Sequence, residues 1–364
     1  MMNVLFVINT MQGGGAARVT AVLANQLVAN GFKVGIATNL SSKSCSYQLN
    51  PSIQLINIYG KRNFISFSIT RLIDHSCRLM MVLSKFKPNI IIGEQEDGIL
   101  FSKIATIFSK IPIIGHRHNT FKILGLSKIQ ELIYNSVEKS VFLHNTDVEF
   151  VGNKIKNSTF IYNPCSYPTI EIKQREKKKI IVAVGSTKRY INKGFDILLD
   201  IWCRIAMKYP DWSLHIIGGG SVINERLLKD KVDNWGITDQ VVFTGNVDDV
   251  DRRLKEASIF LLPSRVEGFP MVINEAISQG CACVSFSLQG VMNELFSSDA
   301  IMIVNDGNTE YFSECIERLI NNIDLRDCMV AQSQIEVDRY MPEKIVRQWI
   351  ELIMDVYRKY NYEK

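Results

Sequence analysis

The sequence predicts an α/β protein built from two doubly wound, parallel-sheet domains. Apolar, β-rich runs of strand length recur along the chain, helical stretches separate them, and the pattern occurs twice, before and after a charged stretch at Glu171 to Lys179. A strand, a helix and a second strand of this length imply parallel pairing.

In the first half, Val4 to Asn9 reads as a strand, Gly13-Gly14-Gly15 breaks it, Ala16 to Ala29 has helical periodicity, and Lys33 to Thr38 restarts as a strand. Further strands are expected at Ile53 to Ile58, Asn89 to Gly93, Ile111 to Gly115 and Ser140 to Leu143. Ile161-Tyr162-Asn163-Pro164 closes this half, and the charges of Glu171 to Lys179 suit a solvated linker. Strands then follow at Lys179 to Gly185, Trp212 to Ile217, Gln240 to Thr244, Ser258 to Leu262 and Cys281 to Phe286, with helices such as Phe195 to Lys208 and Val272 to Gln279. The expected organisation is an N-terminal domain over 1–168, a second domain over 169–342, and a helix within 343–364 that packs back on the first domain.

The chain has 364 residues, 46% hydrophobic and 22% charged, enough for two ordinary cores and too apolar for disorder. Its longest apolar runs are strand-sized, far below the ~20 residues of a membrane span. Eight cysteines occur without a C-x-x-C pair, and no secretory signal precedes the first strand, so they read as reduced residues of a cytoplasmic protein. The net charge of +5 is unevenly spread: residues 1–165 hold 17 Lys and Arg against 8 Asp and Glu, the remainder 25 against 29. A basic first half suits an anionic surface, and Lys61 to Lys87 mixes apolar residues with six cations and one acid, as a helix lying on a membrane would. The other reading of that segment is a helix packing its apolar stripe on the sheet. No nucleic-acid-binding module is recognisable, so nucleic acid is not an expected partner.

Ligands of open α/β sheets bind beyond the carboxyl ends of strands. Gly14 and Gly15 open a helix after the first strand and can approach an anion. A nicotinamide cofactor is disfavoured, because Arg18 stands where the third glycine would be and Thr38-Asn39 where a ribose-binding acid belongs. The richest segment is Ser264 to Ala276, directly after a strand. There Pro270 and Met271 start a helix, Glu275 lies one turn in, and Glu267 precedes it. Free amides beside two carboxylates can hold a diphosphate and hydroxyl groups, each charge-assisted bond contributing roughly 1.5–3 kcal/mol.

These residues carry a resemblance to glycosyltransferase family 4, whose two-domain fold is called GT-B. They are Gly13 to Arg18, Asn163-Pro164, Val184-Gly185 with Lys193-Gly194, Phe243-Thr244-Gly245, Leu262-Pro263-Ser264, and above all Glu267 and Glu275 with seven residues between. The resemblance implies two Rossmann-like domains facing each other across a cleft and a donor site holding Gly14, Gly15, Gly185, Lys193 and the Glu267 to Met271 loop. Within it, Glu267 would contact hydroxyls of the donor sugar, Gly268 and Phe269 would offer amides beside Pro270 and Met271, Glu275 would hold the ribose, and Lys193 would grip the diphosphate. The base would lie against Asn246 and Val247. His118, in His116-Arg117-His118-Asn119, would sit near the sugar and the acceptor hydroxyl, with His116 as the alternative; Glu94, Glu96 and Asp97 are further candidates if they are not simply exposed. The family usually places Arg directly after Gly185, where this chain has Ser186; Lys188 or Arg189 would have to supply that charge.

The implied reaction retains anomeric configuration and uses neither metal nor bound cofactor, the nucleotide diphosphate sugar being a co-substrate. The expected donor is a UDP-linked hexose or N-acetylhexosamine, and the expected acceptor a glycan or lipid-linked oligosaccharide at the inner face of the cell membrane. The alternatives are a nucleotide-sugar epimerase of the same fold and a non-catalytic binding subunit.

Overall fold

The computed structural model describes residues 1–40, 45–59 and 69–362. Two compact units emerge, one comprising Met1–Ser166 with Tyr340–Lys364, the other Tyr167–Arg339.

Unit 1 holds a seven-stranded parallel sheet of β1 (Asn3–Thr10), β2 (Lys33–Asn39), β3 (Gln54–Asn57), β4 (Ile90–Glu94), β5 (Ile113–His116), β6 (Lys139–Phe142) and β7 (Ser158–Phe160), in the order β3-β2-β1-β4-β5-β6-β7. The central strands are apolar on both faces because helices cover both; Val4–Val7 and Ile90–Ile92 are wholly buried. The order reverses between β1 and β4, which opens a crevice beyond their carboxyl ends. The helix Ile69–Phe86 packs Leu79, Val82, Leu83 and Phe86 into the core, leaving Ile73 and Met81 exposed. This is the sheet-packing reading of the Lys61 to Lys87 segment; residues 61–68 lie outside the described part. The final helix, Pro342–Tyr362, belongs to this unit and sets Trp349 edge-on to His116 at 4.9 Å between ring centroids.

Unit 2 holds a six-stranded parallel sheet of β8 (Lys178–Val184), β9 (Ser213–Ile217), β10 (Val241–Gly245), β11 (Ala257–Leu262), β12 (Ala282–Phe286) and β13 (Met302–Val304), in the order β10-β9-β8-β11-β12-β13. Its switch point lies between β8 and β11. The helix Phe195–Ile205 faces the core with Phe195, Leu198, Leu199, Ile201, Trp202 and Ile205 at helical spacing, each large side chain contributing about 1.5–3 kcal/mol by leaving water.

The stretch Glu171 to Lys179 is not a solvated linker. Gln174 and Lys177 are buried, the Gln174 amide nitrogen Nε2 donates to Gly280 O at 2.7 Å, and Lys177 Nζ donates to four backbone carbonyls. The segment contains two buried polar anchors among exposed charges, and its end enters β8. Two three-residue edge strands, β7 and β13, complete the sheets beyond the strands the sequence predicts. All eight cysteines are free. Among the described residues no helix is long and apolar enough to cross a membrane.

Candidate active site

Each switch point carries a polar assembly. In unit 2, β8 ends at Val184 and runs through Gly185 into a short turn at Thr187–Arg189, and β11 ends at Leu262 before Pro263-Ser264. Lys193 and Glu267 meet between these strand ends, with Nζ to Oε1 at 2.7 Å, and Ser264 Oγ donates to the same oxygen at 2.7 Å. Both charged side chains keep some access, 15% and 11%. Two glycines permit this approach. A Cβ on Gly185 would lie 3.0 Å from the Lys193 side-chain carbons, and one on Gly194, whose φ is +68°, would lie 1.8 Å from Pro263 O. Arg265 braces the loop with two hydrogen bonds to the Asp196 carboxylate, both 2.8 Å, and a third to Ile191 O.

The helix Met271–Ser278 follows immediately, with Phe269, Pro270 and Met271 buried at its start and Gly268 half-buried. Its first amides and positive end lie next to Glu267, and Glu275 is buried on it at 1% exposure. The sequence-predicted Gly185, Lys193, Glu267 and Gly268 to Met271 thus share one corner of unit 2. Asn246 and Val247 follow β10, where Asn246 Oδ1 accepts from Gly219 N at 2.9 Å. That bond identifies residues the sequence reading passed over: Gly218-Gly219-Gly220 after β9, where Ser186 Oγ also donates to Gly219 O at 2.9 Å. A glycine run directly after a strand was the available signal. Arg189 is exposed on its turn and makes no ion pair among the described residues, and Lys188 is likewise exposed.

In unit 1, Gly14 precedes the helix Gly15–Ala29 at the end of β1, and Glu94 ends β4. Parallel register places Glu94 opposite His116 of β5. Glu94 Oε2 lies 3.0 Å from His116 Nδ1 and 2.5 Å from His118 Nε2, while Thr20 Oγ1 donates to Oε1 at 3.2 Å. All three acid and imidazole side chains are buried, so of the two readings of Glu94, a cleft candidate or a simply exposed acid, the second does not hold. Burial by itself would raise the Glu94 carboxyl, but the two imidazoles outweigh it and hold the group down at about 2. Burial, reinforced by His118 and opposed by Glu94, lowers the pKa of His116. Gln95, next in the chain, has a left-handed φ of 59°, a strained turn of the kind found beside binding sites. The three side chains place one ligand atom each within 4.8 Å of one another, so the set has the donors for a divalent transition metal as well as for an acid–imidazole relay. Glu96 is engaged elsewhere, bonded to Arg117 and to Gln130 Nε2, and Arg117 lies 3.7 Å over the Phe121 ring.

The Glycosyltransferase Family 4 profile matches residues 13–149, and the profile described as Glycosyl transferases group 1 matches 178–322. The chain belongs to glycosyltransferase family 4. An uncharacterized glycosyltransferase of Haemophilus influenzae is 28% identical over 359 residues, covering 94% of this chain and 97% of that protein. A Campylobacter jejuni enzyme, GalNAc-alpha-(1->4)-GalNAc-alpha-(1->3)-diNAcBac-PP-undecaprenol alpha-1,4-N-acetyl-D-galactosaminyltransferase, is 22% identical and covers 98% and 99%. Sucrose-phosphate synthase from Thermosynechococcus elongatus superposes with a TM-score of 0.80 at 14% identity, covering 98% of this chain and 99% of that one. Anabaena HepE, solved with UDP and glucose, does so with 0.78 at 14% identity, covering 98% and 100%. The fold of this family 4 glycosyltransferase is GT-B.

Proposed function

We propose that this glycosyltransferase moves a hexose or N-acetylhexosamine from a UDP-sugar to a lipid-linked or free glycan in surface polysaccharide assembly, with retention of configuration. The observation that carries the reading is the Lys193–Glu267–Ser264 assembly at the β8/β11 switch point, beside a helix N-terminus. Breaking a glycosyl phosphate leaves negative charge on the diphosphate, which a cation and amides already in place stabilise. Lys193 exchanges its Glu267 partner for the diphosphate, and Glu267 turns to the sugar hydroxyls. The bond from C1 to the phosphate oxygen breaks, the acceptor oxygen bonds to C1 on the same face, and the acceptor proton passes to the departing diphosphate. His118 hydrogen-bonds the sugar or acceptor hydroxyl. No metal takes part in the donor chemistry.

UDP as the nucleotide is supported by the UDP complex of HepE, and a polyprenyl-linked glycan acceptor by the named activity of the Campylobacter relative. Contact with an anionic membrane fits the basic first half and exposed apolar side chains of unit 1 such as Phe108, Ile129 and Leu132.

The test is thermal stabilisation by UDP, GDP, ADP, their sugar conjugates and NAD, with EDTA and with magnesium, followed by assignment of the product anomer. UDP and one UDP-sugar should stabilise the protein in EDTA, by roughly 2.7 kcal/mol at about 100 times Kd. Stabilisation by NAD alone, an inverted product, or a strict magnesium requirement would each overturn the corresponding part.

A further inference from the structure

At the opposite end of the unit 2 sheet, against the amino ends of β8, β9 and β11, lies a cavity of about 470 Å³. Its walls carry Arg175, Lys177, Lys179, Lys208 and Arg326 against a single acid, Asp211. This excess sits in the half of the chain where acids outnumber cations, 29 to 25.

Two of these cations are buried without a carboxylate partner. Lys177 is 9% exposed, and its ammonium donates to the carbonyls of Leu254, Lys255, Ala257 and Gln279 at 2.7–3.2 Å and to Cys281 Sγ at 3.9 Å. Arg326 is 6% exposed: Nη1 donates to Leu319 O and Ile320 O, Nε donates to Gln174 Oε1 at 3.3 Å, and the guanidinium lies 5.5 Å over the Trp212 ring. Its Nη2 group makes no hydrogen bond and neither residue makes an ion pair among the described residues. Burial pulls both groups below their ordinary pKa ranges, outweighing the opposing Asp327 carboxylate near Arg326 and the Cys281 and Cys283 thiols near Lys177. Lys177 has a structural use, closing the carboxyl ends of the helices Val250–Glu256 and Met271–Ser278. Arg326 keeps two unused N–H donors beside the cavity. At the rim Arg175 has no partner among the described residues, and Lys179 holds Asp211 at 3.1 Å in a pair exposed at 60% and 74%, weak enough for a ligand to displace.

We infer that this cavity is a binding site for a small soluble metabolite bearing a phosphate or diphosphate group, separate from the donor site at the carboxyl ends of the same strands. Arg326 Nη2 supplies the inner donors, and Arg175 with Lys179 closes over the outer phosphate oxygens. The free Nη2 group offers charge-assisted N–H bonds to a phosphate oxygen, low surrounding dielectric strengthens the attraction, and the volume falls in the range of about 300–1,000 Å³ typical of small-ligand sites.

Calorimetric titration of the full chain with inorganic pyrophosphate and with AMP, in EDTA at low ionic strength, tests this. Parallel titrations use Lys193→Ala and the double variant Arg175→Ala/Lys179→Ala, whose changes at the cavity are confined to exposed rim positions. A saturable site that survives Lys193→Ala and weakens at least about 10-fold in the double variant is the expected result. No saturable binding in any chain would overturn the inference. So would binding that disappears in Lys193→Ala and persists unchanged in the double variant, since the phosphate would then be reading the donor site alone.

Discussion

Glu94 in unit 1 and Glu267 in unit 2 both lie at the carboxyl end of a central strand at a switch point, Glu94 as the last residue of β4 and Glu267 in the loop after β11, yet they are built differently. Glu94 is buried, and its partners are two buried imidazoles and a threonine hydroxyl, all fixed by strand register and packing. Glu267 shares one flexible lysine and one serine with a loop that retains solvent access. A carboxylate enclosed in this way is committed to its neighbours, whereas a carboxylate paired with an accessible lysine can trade that partner for a ligand. The first arrangement fixes the position of His118; the second leaves a cation free to exchange partners.

Truncating the enclosed acid should have the largest effect on folding. Glu94→Ala leaves two imidazoles facing a cavity and should cost about 3–5 kcal/mol in urea unfolding; a loss below about 1 kcal/mol would show that Glu94 is not an integral part of unit 1. Lys193→Ala should behave oppositely, retaining the fold while lowering kcat by about 10²–10³-fold, the scale of losing one preorganised group at a developing anion. Gly194→Ala should combine both effects, because its φ of +68° and the 1.8 Å approach of Pro263 O force the Lys193 loop to move. A stability loss of about 1–3 kcal/mol is expected.

The pH dependence sharpens the same contrast. His116 has a lowered pKa in the fold, so between that value and 6.5 the unfolded chain binds a proton that the folded chain refuses; stability falls as pH drops below about 6.5. Glu94, held at about 2 against 4.5 when unfolded, adds stability that is present above 4.5 and lost as pH falls from 4.5 toward 2. Urea midpoints measured from pH 8 to 5 should therefore decline less steeply in His116→Asn than in the wild type. The smallest effect belongs to Arg265→Ala, which removes a partly exposed pair with Asp196 and should change stability by less than about 1 kcal/mol.

Much of this molecule could be read from residue order. Buried parallel strands are near-continuous apolar runs, and Ile90 to Ile92 or Ile259 to Leu262 announce themselves; glycine turns after β1 and β8 mark where a ligand can approach the backbone. Lys193 and Glu267 stand out in the sequence because they lie in loops that follow strands, where the fold brings them together. The Glu94–His116–His118 assembly was not, since it depends on the register of β4 against β5, and no linear spacing reports which strands become neighbours. Its members stood among the candidates individually, without their grouping. Three-residue edge strands such as β13 carry too few residues for a periodicity. Lys177 was misjudged because a cation in a charged stretch looks solvated until four carbonyls converge on it.

The most direct test of the account is calorimetric binding of a UDP-sugar in EDTA to the wild type, Lys193→Ala and Glu94→Gln. Binding should be at least about 10-fold weaker in Lys193→Ala and nearly unchanged in folded Glu94→Gln. Undiminished affinity in Lys193→Ala would contradict the claim that the accessible ion pair of unit 2 is where the donor is held.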